Sequence, residues 1–84
     1  MGIQESEKKE QAIFLEQLGA HIGKIRAGKN ISVSELARRC FMDKPNLIRI
    51  EKGRVNPSIY ALKRIADALE ISLKELLNGF DNRS

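Results

Sequence analysis

Apolar residues recur along this chain every three or four positions, and nowhere do they alternate with polar ones over the length a half-buried strand needs. The pattern predicts an all-α protein. Phe14, Leu18, Ile22 and Ile25 make one stripe, which predicts a first helix over 7–27, frayed at its polar front and stopped by Gly28, Lys29 and Asn30. Ser32 and Glu35 then read as a capping box: the serine accepts from the N–H three residues on and the glutamate reaches back. A second helix therefore starts at Val33 and turns Val33, Leu36, Ala37 and Cys40 to one side. Asp43 is placed to cap a third helix over 44–52, with Leu47 and Ile50 inward, Lys44, Asn46 and Arg49 outward, and Gly53 as its stop. Ser58 caps a fourth helix that buries Leu62, Ile65, Ala66 and Leu69. A second capping box, Ser72 with Glu75, opens a short fifth carrying Leu73, Leu76 and Leu77.

A chain of 84 residues is one domain, near the lower limit for a core that holds without staples. The domain is expected over 16–80, with an extension over 1–15 that is partly helical and continuous with the first helix, and a tail over 81–84. One cysteine and one histidine supply neither a disulfide nor a zinc set, so Cys40 reads as a small core residue and His21 as an exposed residue of the first helix. There is no carboxylate dyad, nucleophile elbow, phosphate loop or metal set, so no enzyme, cofactor or metal is expected. The apolar runs are too short to span a bilayer, and residues 1–10 are acidic and polar where a signal peptide would be basic and then greasy. The cytoplasm is the expected compartment. The opening MGIQES fits the M-G-x-x-x-S acylation pattern, which is too loose to carry weight.

The net charge of +4 is unevenly spread. Residues 1–16 hold two Lys and four Glu, residues 17–56 hold nine Lys/Arg and three Asp/Glu, and residues 57–84 hold four of each sign. The basic excess lies in the middle. It reads either as a solvated lysine-rich surface or as an electrostatic footprint for phosphate.

Only Phe41 and Met42 separate the end of the second helix from the cap of the third, a connection of the length found in the helix-turn-helix. The segment LGAHIGKIRAGKNISVSELARRCFMDKPNLIRIEKGRVNPSIYALKRIADALEISLKELL, residues 18–77, resembles the XRE-type helix-turn-helix family of phage repressors, Cro proteins and bacterial regulators. Leu36-Ala37 matches its Leu-Ala, Arg49-Ile50-Glu51-x-Gly53 its R-I-E-x-G, Pro57-Ser58 its P-S, and IADALEISLKELL its closing segment. The resemblance implies a compact five-helix bundle of the phage repressor-like type. It also implies a DNA-binding transcriptional regulator, a repressor acting as a homodimer on a palindromic site of double-stranded DNA.

Under that resemblance the third helix enters the major groove by its N-terminal end. Lys44 and Arg49 can donate to guanine O6 and N7, Asn46 can pair with adenine or hold a phosphate, and Pro45 offers an apolar contact such as a thymine methyl. Proline suits the first turn, where no intrahelical partner awaits its missing N–H. Ser34, Lys52, Arg54 and Asn56 are the expected phosphate contacts, and Arg26 with Glu51 the expected structural brace. Ile48 is open to three readings: a methyl contact, a dimer contact or a lone exposed isoleucine. The dimer surface is equally open, between the fifth helix with Leu77 and Phe80 and the N-terminal turns with Ile13, Phe14 and Leu15. Two positions depart from the family. Phe41 stands where glycine is common, which predicts a strained turn offset by burial of the ring, and Val33 replaces a glutamine that in relatives holds a phosphate. An antitoxin or adaptor with a protein partner, a toxin or co-regulator, is the alternative function, although the closing GFDNRS is not expected to serve as a toxin-wrapping tail.

Overall fold

Five helices form where the apolar spacing and the serine caps place them, in a computed structural model that describes residues 4–80. They are α1 (Glu5–Gly28), α2 (Val33–Arg39), α3 (Lys44–Glu51), α4 (Ile59–Ala68) and α5 (Leu73–Leu76). No strand occurs among the described residues. The first residues of the acylation-like pattern and the tail 81–84 lie outside them.

One core joins every helix: Leu18 and Ile22 of α1, Leu36 and Ala37 of α2, Leu47 and Ile50 of α3, Leu62, Ile65 and Ala66 of α4, and Leu76 of α5, with Cys40 and Leu69. Each large side chain buried there contributes roughly 1.5 to 3 kcal/mol. Val33 packs against this cluster's edge, so its apolar side chain supports the core.

Four helices end in the same way. The last turn of each closes with a residue in the left-handed region, Asn30, Phe41, Gly53 and Glu70 at φ 58°, 55°, 72° and 60°. At each, its own N–H and the next one return to carbonyls of the preceding turn: for α2, Phe41 to Arg38 and Met42 to Ala37. Ile31, Met42 and Ile71, the residues that follow three of these reversals, pack onto the core. The stop of α1 is therefore Asn30; Gly28 is still helical.

The caps differ in detail from the sequence pattern. Ser32, Ser58 and Ser72 each accept from the backbone N–H three residues on. Only Ser72 with Glu75 makes the full box. Glu35 does not reach back to Ser32, because Arg38 and Arg39, one turn ahead, both donate to its carboxylate. Asp43 occupies the N-cap of α3 but its side chain accepts no cap hydrogen bond.

Other expectations need correction at the surface. The ring of Phe41 is not buried: it is 86% exposed, and what holds its backbone is Arg64 of α4, which donates to the carbonyl oxygens of Cys40 and Phe41. Phe14 is not part of the core stripe but partly exposed, with its ring 5.5 Å from that of Phe80. His21 is half-buried instead of exposed; its ring lies 5.2 Å from Phe80, and its Nε2 is enclosed without a hydrogen-bond partner. Leu77, just past the end of α5, is partly exposed.

Candidate nucleic-acid interface

α3 has two unlike sides. Leu47 and Ile50, three residues apart, are fully buried against α1 and α2, and this anchors the helix through its inner face. Lys44, Pro45 and Arg49 are exposed on the remaining surface, and Asn46 is half-buried. Pro45 is in the first turn, where the absent N–H costs no helical hydrogen bond. Ile48 is half-buried, so it does not stand out into solvent.

The C-terminal end of α3 is held against α1 by a close approach of backbones. A Cβ at Gly19 would collide with the carbonyl oxygens of Ile50 and Glu51, and one at Gly53 would meet the backbone of Leu15 and Glu16. Gly53 is also at φ 72°, so a side chain there is excluded by space and by conformation alike. Arg26 completes the attachment. Its Nε and Nη2 donate to the two oxygens of Glu51 at 2.8 and 3.0 Å, and its Nη1 donates to the carbonyl of Ile31 at 2.8 Å. The hydrogen bond to Glu51 raises the Arg26 pKa above its ordinary value, which keeps the guanidinium charged.

The basic residues from α2 to α4, with Arg26, divide into two groups. Arg26 is tied to Glu51, Arg38 and Arg39 share Glu35, Lys63 pairs with Asp67, and Arg64 is spent on backbone carbonyls. Lys44 and Arg49 of α3, Lys52 at its C-cap and Arg54 in the following loop are exposed and take no acidic partner among the described residues. Asn56 is exposed in the same loop. Ser34 belongs to another element, the first turn of α2, and is exposed there.

Three contributors to this geometry escaped the sequence reading. Gly19 was readable in principle, as a small residue four before Gly23 on one face of α1, where two helices can approach closely. The clamp from Arg64 depends on tertiary contact, which no local motif announces; the pairing of Arg38 and Arg39 with Glu35 has the i,i+3 and i,i+4 spacing of a helix ion pair and was readable in principle.

Comparison with known proteins agrees with this arrangement. A helix-turn-helix family model matches residues 22–76. The HTH-type transcriptional regulator SinR of Bacillus licheniformis is 37% identical over 65 residues, which cover 76% of this chain and 59% of SinR. The chain thus spans little more than half the length of that relative. The HTH-type transcriptional regulator y4dJ of Sinorhizobium fredii is 30% identical over 64 residues, 76% of this chain and 83% of y4dJ. Among solved structures, the restriction-modification controller protein C.AhdI from Aeromonas hydrophila superposes with a TM-score of 0.75 at 28% identity, over 76% of this chain and 97% of its own. The clp gene regulator ClgR from Corynebacterium glutamicum gives 0.71 at 32% identity, over 74% and 80%. With α2, a four-residue connection and α3 in the matched segment, the chain belongs to the helix-turn-helix family.

Proposed function

We propose that this chain is a sequence-specific DNA-binding transcriptional regulator that places the N-terminal end of α3 in the major groove. The observation that carries the reading is the set of uncommitted cations on α3 and its following loop, on a helix whose inner face and C-terminal end are locked to α1. Charge without an internal partner on a rigid element suits phosphate and base edges. Lys44 and Arg49 read guanine, Asn46 reads adenine or holds a phosphate, and Pro45 lies against a base. Ser34, Lys52, Arg54 and Asn56 grip phosphates. Regulators and controller proteins among the relatives and solved structures support the assignment.

One copy of so small a module makes few base contacts, so the chain acts as a homodimer on a palindromic operator, in the cytoplasm and as a repressor. No helix among the described residues is long and apolar enough to cross a membrane. Selection of bound duplexes from a random library tests the reading. A palindromic consensus is the expected result, and equal binding of random and selected duplexes at physiological salt overturns it.

A further inference from the structure

Phe41 bears two costs. Its φ of 55° brings a Cβ against the following carbonyl oxygen, and its ring is 86% exposed. Asn30 and Glu70 share the left-handed geometry, but both are polar and suit a solvent-facing turn. Gly53 has no Cβ to strain. Among these four helix ends Phe41 alone combines the strained backbone with a large apolar side chain in water, and outliers of this kind cluster where function needs them.

Its backbone is nonetheless rigidly placed. Arg64 donates to the carbonyl oxygens of Cys40 and of Phe41 itself, and the same guanidinium lies 6.0 Å from the centre of the Tyr60 ring. Three residues of chain separate Phe41 from Lys44, so its Cα lies within about 11 Å of the end of α3 that enters the groove. Arg38 and Arg39 precede it and share the single carboxylate of Glu35, which leaves the surroundings positive. An apolar ring in a basic setting at the groove has one matching group on the base edges, the C5 methyl of thymine.

We propose that Phe41 is a further specificity-determining residue, whose ring packs on a thymine methyl flanking the base pairs read from Lys44, Asn46 and Arg49. The inference rests on the major-groove reading of α3. A protein segment seated in the open cavity of about 300 Å³ beside the ring, lined by Arg39, Tyr60 and Arg64 among others, is the rival use of the same surface.

The test starts from the duplex selected by the unmodified full chain. Absence of any selected sequence ends the major-groove reading itself, and this inference with it. Given a selected duplex, each thymine is replaced in turn by deoxyuridine, and binding is measured for the unmodified chain, Phe41→Gly and Phe41→Asn. Both variants suit a left-handed turn, so both should melt a few degrees higher or unchanged. At one position the missing methyl should weaken the unmodified chain about fourfold and leave both variants indifferent. The variants should also lose their preference for thymine there. Coincident deoxyuridine profiles for the three proteins, or a selected site with no thymine beside the α3 contacts, overturn the proposal. So does unchanged operator affinity in both variants, which would hand the surface to a protein partner.

Discussion

Arg26 shows how much one side chain can settle. Its guanidinium satisfies three acceptors, two on α3 and one in the connection between α1 and α2, and the Arg26 and Glu51 side chains are only 19% and 14% exposed. Removing the charge of one member leaves the other in a poorly hydrated site, a penalty well above the fraction of a kcal/mol that an exposed pair is worth. Glu51→Gln should therefore destabilise the fold by roughly 1 to 3 kcal/mol and lower the thermal midpoint by about 4 to 8 °C for each of them. Calorimetry of the variant decides this; an unchanged midpoint would mean that the pair does not brace the fold. Glu35 behaves differently. Hydrogen bonds from Arg38, then Arg39, hold its carboxyl near pKa 2, down from an ordinary 4.5. A carboxyl depressed on folding stabilises the protein above its unfolded pKa, and the contribution disappears as pH falls from about 4.5 towards 2. The group faces solvent, so salt screens it. In low salt Glu35→Gln should flatten the fall of the melting temperature over that interval, and in about 1 M salt the two proteins should fall together.

At the scale of elements, the junction of α1 with the end of α3 is the tightest point of the fold. Gly19→Ala sets a methyl group against two backbone carbonyls that cannot step aside without moving α3. A decrease in stability of about 1 to 3 kcal/mol is expected, and with it weaker binding to every duplex, since the whole helix is displaced. Retained stability with abolished affinity would show that the helices separate without cost. This junction also marks where local reasoning stops. The helices themselves were legible because serine caps and apolar spacing act within one or two turns, as at Ser58 with Ala61 and Ser72 with Glu75. The outward set on α3 was legible for the same reason: fixing Leu47 and Ile50 inward leaves Lys44 and Arg49 no other direction. Glu35 was misread because two arginines one turn ahead compete with the backbone for its oxygens. His21 was misplaced because what covers it, Phe80, lies some sixty residues away along the chain.

Across the whole molecule, the proposed function separates contacts that hold DNA from contacts that choose it. Lys52→Ala or Arg54→Ala should weaken binding to all sequences alike, and flatten the slope of log affinity against log salt by about one unit for each phosphate no longer gripped. A shifted sequence preference in either variant would reassign that residue to the bases. Arg49→Ala should instead cost roughly 1 to 3 kcal/mol on the preferred operator, relax the choice at one or two base pairs and spare non-specific binding. Lys44→Ala should do the same at a neighbouring position. Circular dichroism should register neither change, because both side chains face away from the core. The division of α3 into an inner anchor and an outer surface has an evolutionary corollary. Leu47, Ile50 and Glu51 answer to the scaffold, while positions 44, 45 and 49 answer to nothing inside the protein. New targets are then reachable through single exchanges that leave folding untouched. A chimaera bearing another regulator's residues at those positions should take up the donor's preference at the base pairs they read and keep this chain's melting temperature.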